Sequence, residues 1–512
     1  MLNRCVFVAS SAAPVAERAR ALERFYAPAG VRGLFVREVP AARVVVGCIG
    51  PPPQQRELVA FGATVAWTDE KVALTTAATD VVSLYAADGA WSTHAAAAAF
   101  LGTGEARLRP EAAAELAALG FVPGDDTTVE GVRALPAGTV VEVDADGARE
   151  RPPSADPLRA TADAEQLLVE TLREQVGGDA SPGPITLGLS GGLDSRAVAV
   201  ALAEGGVDFE AVTWGAEDWP DVAGARRVAE ALGIRHRVVH PVDLGGEVDL
   251  EAGRARVRWA DGAATITAPG ADPDARGIHV TGAGGEIARA FYYRLLARAD
   301  SAPSLDRVAQ LWRPSRGLPG ASDETRDAID RTARALLDRA AARGARGWDV
   351  LDRVYADERM RKWGRATIPP SAAGFVPAFL HPRLVPALLA LPLEDRLTAA
   401  LHRRVIARRL PPDLVPPPPS RQRRGIPAPL RRAAALRRAR ADPFHAPGPP
   451  PPPALLAALV AATESNLARG IGTGFAGRLR EGATAGNPRA VETAAQIAGL
   501  VAFGESLREL RA

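Results

Sequence analysis

The sequence feature that most constrains this chain is the run Ser-Gly-Gly-Leu-Asp-Ser at residues 190–195. An apolar segment precedes it at 185–189 and a helix-like apolar segment follows at 196–203, so the pattern predicts a strand, a loop and a helix. Two adjacent glycines let the backbone approach an anion closely, and the Ser190 and Ser195 hydroxyls and the first amides of the helix would point at that anion. We therefore expect this loop to bind a phosphate group.

The same loop differs from the Walker A pattern because no lysine follows its glycines. Asp194 lies where a carboxylate could hold a magnesium ion against pyrophosphate, and the chemistry implied is adenylation. The alternative interpretation is an ordinary turn between a strand and a helix. The phosphate-binding residues expected from the pattern are Ser190, Gly191, Gly192 and Ser195.

The loop resembles that of the PP-loop ATP pyrophosphatases, specifically the asparagine synthetase branch, which cleaves ATP between the α and β phosphates to make an acyl-adenylate. The resemblance implies a C-terminal synthetase domain with a parallel sheet flanked by helices, and ATP and Mg²⁺ as cofactors. Residues 209–215 look like its second strand, and residues 279–286 like a later strand that ends in a glycine-rich loop. Taken alone, each later segment could be an ordinary strand-to-helix loop.

By matching position, the resemblance implies further site residues. Nucleotide contacts fall on Leu189, Trp214, Thr281 and Gly282. The second magnesium-binding acid of the family is usually Asp and is here Glu286, whose side chain is one methylene longer. The family's basic loop is similar to residues 421–427, where Arg423 stands in place of a lysine that approaches the departing pyrophosphate; an arginine stabilises negative charge but cannot shuttle a proton. Beyond residue 424, a solvated basic helix is an equal alternative.

Composition sets the broad class. A chain of 512 residues predicts two or three domains, and without a run of 18 apolar residues or an export signal we expect a soluble, cytoplasmic protein with no membrane contact. Its 2 cysteines and 7 dispersed histidines offer neither a disulfide framework nor zinc-type spacing. The arginines of the basic stretch are not interleaved with aromatic residues, which disfavours a nucleic-acid partner.

Residues 1–155 are predicted to form a separate α+β domain, and residues 156–512 the synthetase domain. Strand candidates in the first domain lie at 43–47, 63–67, 72–76 and 139–143. In the second domain, the apolar period predicts helical segments around 324–343, 348–366 and 383–409, and the proline tracts 416–419 and 449–453 predict extended loops without helix.

Segments around 79–85, 92–94 and 129–139 resemble the back half of a class II glutamine amidotransferase, an Ntn-hydrolase-like scaffold. That enzyme needs a cysteine at the mature N-terminus, whereas Leu2 stands at position 2 and Cys5 is internal. We interpret Cys5 as a small buried residue of the first strand, so the scaffold is degenerate and glutamine hydrolysis is not expected.

Two further groups are candidates for the reaction. Glu358, on a predicted helix after the nucleotide-binding segment, could accept the proton of an attacking amine, or could be a surface ion-pair residue. Arg289, Tyr292 and Tyr293 could line the acceptor pocket, or could simply pack within their helix.

Three reactions of the branch can be separated by these residues. Asparagine synthesis from glutamine is disfavoured without the N-terminal cysteine. In the middle of the second loop, asparagine synthetases have Glu and β-lactam synthetases have Tyr, whereas this chain has Ala283. The layout is closest to lasso peptide cyclases, which adenylate an Asp or Glu side chain for attack by the peptide's own N-terminal amine.

The sequence therefore predicts an ATP-dependent amide-forming ligase that acts on a small-molecule or peptide carboxylate, with a precursor peptide and its leader peptidase as possible partners. Lasso-type macrolactam cyclisation is the leading hypothesis. Alternatives are an asparagine synthetase-like or β-lactam synthetase-like ligase of another natural-product pathway, and a non-catalytic nucleotide-binding scaffold. Sulfur transfer to tRNA is weaker, because no cysteine lies in the synthetase half.

Overall fold

The computed structural model of the chain describes most of its residues. They are residues 5–10, 14–50, 56–60, 63–77, 79, 81–152, 163–176, 183–239, 249–267, 277–294, 296–297, 302–368, 374–416 and 451–510.

The N-terminal part, up to residue 152, contains two antiparallel sheets stacked face to face. The first has the strand order β2-β3-β1-β8-β7-β9 and the second the order β11-β10-β6-β5-β4. Alternation along β1 explains the layering: Val6 and Val8 face the second sheet, whereas Cys5 and Phe7 face helices α1 and α2. The strands are β1 (Cys5–Ser10), β2 (Leu34–Val39), β3 (Val44–Ile49), β4 (Glu57–Ala60), β5 (Ala63–Trp67), β6 (Val72–Thr76), β7 (Tyr85–Ala87), β8 (Ala90–Ser92), β9 (Arg133–Ala134), β10 (Val140–Asp144) and β11 (Gly147–Arg151), and the helices are α1 (Val15–Tyr26), α2 (Ala95–Thr103) and α3 (Ala112–Leu119).

The C-terminal part contains a five-stranded parallel sheet in the order β14-β13-β12-β15-β16. The chain starts at the central strand, builds outward to β14, and then returns to the other side of β12 to add β15 and β16. The strands are β12 (Ile185–Gly188), β13 (Glu210–Trp214), β14 (Arg235–Val239), β15 (Ile278–Thr281) and β16 (Gly374–Pro377). The order reverses between β12 and β15, and ligands of open parallel sheets bind at such a switch point.

Helices flank this sheet and extend it. Helix α5 packs against α4 and α14, and together with the sheet they form one large apolar core. The helices are α4 (Ala164–Val176), α5 (Leu193–Glu204), α6 (Pro220–Leu232), α7 (Leu250–Trp259), α8 (Leu305–Leu311), α9 (Asp323–Ala342), α10 (Asp349–Val354), α11 (Met360–Trp363), α12 (Leu384–Leu389), α13 (Leu393–Thr398), α14 (Ala400–Ala407), α15 (Pro453–Thr463), α16 (Asn466–Ile471), α17 (Thr473–Thr484) and α18 (Pro488–Leu507). None of the described helices combines the length and the apolar character needed to cross a bilayer.

Most elements expected from the sequence are present. The strands around 43–47, 63–67, 72–76 and 139–143, the strand, loop and helix at 185–204 and the parallel sheet flanked by helices are confirmed. The helical segment predicted at 383–409 is instead three short helices: Pro392, in an extended conformation (ψ 145°), separates α12 from α13, and Ala399, in a left-handed conformation (φ 52°), separates α13 from α14. The proline tract that was expected to exclude helix up to residue 453 ends one residue earlier: Pro453 is the first residue of α15, where its missing N–H costs nothing.

The two parts share a buried cluster of His94, Asp261 and Arg365. Asp261 follows α7, and its carboxylate accepts hydrogen bonds from the Ala95 and Ala96 amides at the start of α2, at 2.8 and 3.3 Å. Arg365 donates to the Thr93 carbonyl and lies 2.7 Å from His94 Nε2. The C-terminal part thus supplies the N-cap of a helix in the N-terminal part. The amidotransferase-like identity of the N-terminal part, and the boundary at residue 155, stay predictions.

Candidate functional site

The candidate site lies where the strand order of the parallel sheet reverses. The loop after β12 and the loop after β15 leave the same carboxyl edge of the sheet and meet over Asp194. Carboxyl ends at a switch point are the usual ligand position in this architecture. The described structure therefore brings the two sequence-predicted loops into one place.

The hydroxyl groups of Ser190 and Ser195 fix the backbone of the first loop by hydrogen bonds within it. The Ser190 amide donates to Ser195 Oγ at 3.1 Å, the Gly192 amide donates to Ser190 Oγ at 3.1 Å, and the two hydroxyl oxygens are 3.1 Å apart. Gly192 precedes α5 in an extended conformation, and no side chain caps the helix there. The first-turn amides of α5, which have no partner within a helix, can therefore receive an anion.

Two other side chains brace the loop. The Gly191 amide donates to Asp221 Oδ1 at 3.0 Å, and the Gly191 carbonyl accepts from Arg196 Nη2 at 2.6 Å. Arg196 also donates to the Leu414 carbonyl at 2.8 Å. The sequence analysis did not single out these residues, although Asp221 at the start of α6 carries a signal, since an acid is favoured in the first turn of a helix.

The second loop packs on the first without space for a side chain. A Cβ atom on Gly282 would lie 2.7 Å from Asp194 Cβ and 3.0 Å from the Ser195 amide nitrogen. A Cβ on Gly285 would lie 2.5 Å from Asp194 Oδ1. Glycine at these positions is what lets the second loop reach the acid of the first.

Asp194 is engaged by two cationic or basic groups. Arg289 Nη2 lies 2.6 Å from Asp194 Oδ2, and His402 Nε2, fully buried on α14, lies 2.8 Å from Oδ1. Burial would raise the pKa of Asp194, but the neighbouring His402 and the charge of Arg289 outweigh burial and hold this pKa below its usual value. Asp194 is therefore a stable anion in the site.

Glu286 is the second acid of the site and behaves differently. Burial, with the nearby charge of Asp194, raises the pKa of Glu286 above its usual value. Its Oε1 lies 3.3 Å from Arg289 Nη2, and the Tyr355 hydroxyl is its hydrogen-bond partner. Ionised Glu286 thus depends on a cation beside it.

The remaining positions implied by the resemblance also lie at the carboxyl edge. Leu189 is buried and its carbonyl accepts from Thr213 Oγ1 at 2.7 Å, while Trp214 ends β13 with its ring edge-on to His279. Thr281 ends β15, and Ala283 follows in the second loop, where its amide lies 3.4 Å from Thr281 Oγ1. Arg423 lies outside the described residues.

Glu358 lies on another surface. Residues Tyr355–Arg359 form a single wide π turn between α10 and α11. Tyr355 contacts Glu286, whereas Glu358 accepts from the Gly124 amide at 2.9 Å and lines a cavity of about 790 Å³ between the N-terminal part and α9. Of the acceptor candidates, Tyr293 lies in a turn rather than in a helix, where its ring stacks on Trp348 and its hydroxyl donates to Asp352.

The two acids can be tested as a magnesium site. Carboxylate oxygens are the ligands that Mg²⁺ prefers, and a single nitrogen of Arg289 contacts both carboxylates, so the two groups converge. Within the described ranges no three His, Cys, Asp or Glu side chains gather as a metal site. The residues therefore fit an ion held by two carboxylates and completed by phosphate oxygens.

His402 and Tyr355 were not predicted from the sequence, and Arg289 was predicted to line an acceptor pocket rather than to contact the two acids. His402 and Tyr355 come from helices far along the chain, and no spacing pattern links them to Asp194. Arg289 is three residues after Glu286, a separation at which opposite charges pair on a helical turn, and that signal was available.

Comparisons with known proteins add a partial relationship. The family model described as asparagine synthase matches residues 163–251, from the start of α4 to the start of α7, a segment that includes the first loop. No curated protein matches the chain.

Among solved structures, an NMN synthetase from Francisella tularensis matches 19% of this chain with 22% sequence identity and a TM-score of 0.15. The match covers 45% of that chain, less than half of its length, and a likeness this limited supports no inference. The family model, together with the loop geometry, supports a relationship of this chain's residues 163–251 to the asparagine synthetase superfamily.

Proposed function

We propose that this chain is an ATP-dependent ligase that adenylates a carboxylate and joins it to an amine without hydrolysing glutamine. The observation that carries the proposal is the meeting of the two glycine-containing loops around Asp194 at the switch point of the parallel sheet. The asparagine synthase match over the first loop supports ATP as the nucleotide.

The reaction has two steps. An oxygen of the substrate carboxylate bonds to the α-phosphorus of ATP, the bond from that phosphorus to the bridging oxygen breaks, and pyrophosphate leaves. An amine then bonds to the activated carbonyl carbon, AMP leaves with the acyl oxygen, and a base takes the amine's proton. The products are an amide, AMP and pyrophosphate.

The first loop would bind the phosphates. Ser190, Gly191, Gly192 and Ser195 present hydroxyls and amides at the N-terminus of α5, where the helix dipole favours negative charge. Leu189, Trp214, Thr281 and Gly282 would contact the rest of the nucleotide, and Arg423 would offset charge on the pyrophosphate. Asp194 and Glu286 would hold Mg²⁺, which when bound neutralises phosphate charge.

Glutamine hydrolysis is left out of the proposal because of the state of Cys5. The thiol lies within β1, fully buried, and 3.5 Å from Ser92 Oγ. Burial raises the pKa of Cys5 to about 12, so almost no thiolate forms near neutral pH. The expectation that Cys5 is a small buried residue is confirmed.

Macrolactam cyclisation of a peptide is the leading proposal for the substrate. The cavity beside Glu358 has the volume of a typical ligand site and walls from both parts of the chain, with Arg339, Arg343 and Lys362 among its cations. Because Glu358 lies on another surface than Asp194, we assign it no part in proton transfer at the adenylate. Another natural-product ligase with a small-molecule acid would use the same nucleotide site.

A non-catalytic scaffold is the second candidate, and one observation favours it. Asp194 Oδ2 is already paired with Arg289, and Glu286 stands in place of the shorter acid usual in the family. Such a site could bind nucleotide without turnover.

The deciding experiment measures magnesium-dependent pyrophosphate release from ATP, without glutamine, in the presence of peptides and small acids. Wild type is compared with Asp194→Asn, which removes the charge at equal volume, and with the control Asp208→Asn, an exposed acid whose side chain pairs weakly with Arg235 at 3.8 Å. We expect release that requires Asp194 and one acceptor, and is unaffected at Asp208.

The product separates the substrate hypotheses. An intramolecular amide appears as loss of one water from the peptide itself, whereas an intermolecular ligase gives a condensed product of two substrates. Nucleotide binding with no pyrophosphate release under any acceptor would replace the ligase by the scaffold.

A further inference from the structure

The backbone conformation around Arg289 holds its side chain beside Asp194 and Glu286. It is the last residue of the short 3₁₀ turn Gly285–Arg289, and the next residue, Ala290, is buried in a left-handed conformation (φ 52°). That conformation is unfavourable for a residue with a Cβ and persists only when the surroundings require it. The turn thereby directs the guanidinium back over Asp194.

One nitrogen of this guanidinium serves both acids. Arg289 Nη2 lies 2.6 Å from Asp194 Oδ2 and 3.3 Å from Glu286 Oε1. The three side chains are only 23%, 17% and 22% exposed, so water screens these charges less than it screens a surface pair. The nitrogen occupies the position between the carboxylates that a bridging cation would need.

The guanidinium cannot vacate this position by losing its proton, because arginine stays protonated in proteins. A divalent cation can bridge the two acids only if the side chain moves away. A displaced guanidinium needs another anionic partner, and the phosphates of a bound nucleotide are such a partner, since arginine binds phosphate with paired hydrogen bonds.

We propose that Arg289 is a resident counter-ion of Asp194 and Glu286. A divalent cation must displace the Arg289 guanidinium to bind these acids, and the phosphates of a bound nucleotide then pair with the displaced guanidinium. This inference rests on the proposed nucleotide site. It couples the two ligands: each makes the other bind more tightly, because the nucleotide stabilises the displaced arginine that the cation requires.

The test measures binding of Mn²⁺, as a probe for Mg²⁺, by titration of the free ion without substrate or turnover. Wild type is compared with Arg289→Gln, and with the matched control Arg307→Gln on the surface of α8, whose side chain contacts Gln310. We expect Arg289→Gln to bind Mn²⁺ at least tenfold more tightly than wild type in the absence of nucleotide, and Arg307→Gln to match wild type.

The same titration is repeated with a non-hydrolysable ATP analogue. In wild type we expect the analogue to lower the Kd of Mn²⁺. In Arg289→Gln we expect the analogue to lower this Kd less, by about the factor by which the substitution itself lowers the Kd without nucleotide. The double variant Asp194→Asn/Arg289→Gln should lose the gain, which assigns the ion to these acids. If Arg289→Gln does not fold, Arg289→Lys is used, for which we expect a smaller gain.

Unchanged or weaker Mn²⁺ binding in a folded Arg289 variant overturns the counter-ion role. Failure of the proposed function gives a different result: the analogue would not bind wild type at all, while the Mn²⁺ gain of Arg289→Gln would remain.

Discussion

Two clusters of charged side chains, one at the sheet edge and one between the two parts of the chain, use similar groups in opposite ways. Asp194 and Glu286 keep 17% and 22% of their side chains exposed and face a loop that can admit a ligand. His94, Asp261 and Arg365 are buried and satisfy backbone groups of a neighbouring helix. Access to solvent, rather than residue type, thus distinguishes the candidate ligand site from the cluster that joins the two parts of the chain.

The substitution Arg365→Met is expected to have the largest effect, because it disrupts the buried cluster between the two parts of the chain. The substitution removes the buried cation near Asp261 and the hydrogen bond to the Thr93 carbonyl. Since loss of one partner leaves a buried charge uncompensated, we expect the free energy of unfolding to fall by about 3–5 kcal/mol. Urea denaturation measures this free energy of unfolding. Arg254→Met, an exposed change on α7, should cost little, and equal losses in the two variants would contradict the role of burial.

The second prediction concerns pH and the same buried cluster. Burial raises the pKa of Asp261 from 3.8 to about 6, so the fold favours its protonated form. This contribution to stability is complete below about pH 4 and is lost as the pH rises through about 6, because the unfolded chain releases this proton first. At about 1.4 kcal/mol per pKa unit, the loss amounts to about 3 kcal/mol.

The measurement is the difference in unfolding free energy between wild type and Asp261→Asn, from pH 4 to pH 7. The asparagine keeps the shape and does not titrate, so the difference should change with pH in the direction stated. A difference that is constant with pH would show that Asp261 does not titrate in the fold over this range. Nucleotide binding at the sheet edge should be the same in both proteins.

The third prediction concerns the close contact of the two loops at the sheet edge. In Gly282→Ala the new methyl group would collide with Asp194 Cβ and the Ser195 amide, which belong to a helix start and cannot yield as a flexible side chain does. We expect a stability loss of about 1–3 kcal/mol and nucleotide affinity reduced at least tenfold. Calorimetric titration with an ATP analogue measures the affinity. The control Gly477→Ala, where a Cβ meets open space on α17, should leave the affinity unchanged, and an undisturbed Gly282→Ala would show that the loops are not in close contact.

The sequence was sufficient to predict the first loop, because its serine and glycine residues hydrogen-bond within six residues, although Asp221 also braces it from α6. Ser190, Gly192 and Ser195 satisfy one another, so the motif carries its own geometry. Strands β12, β13 and β15 also followed from the alternation of strand-like and helix-like segments, whereas their order in the sheet was not predicted. Strands β14 and β16 were not predicted, since each is short and its segment lacks a strong pattern.

The surroundings of the acids could not be predicted in the same way. His402 reaches Asp194 across more than two hundred residues, and its ring is placed by packing on Phe379 rather than by any local signal. The buried link between Asp261 and α2 is equally remote in sequence. Such contacts depend on tertiary packing, for which a single sequence offers no periodic pattern.

The wide turn at Tyr355–Arg359 has a consequence for how the two parts of the chain fit. Three side chains bond to backbone groups of the N-terminal part: Glu358 and Arg359, at the end of this turn, bond to Gly124 and Leu119, and Lys362, on α11, bonds to Asp126. A π turn holds one residue more than an α turn, and each residue rotates a helix by about 100°. Deleting that one residue would swing these three side chains away from their partners, so the fit between the two parts depends on a single inserted amino acid.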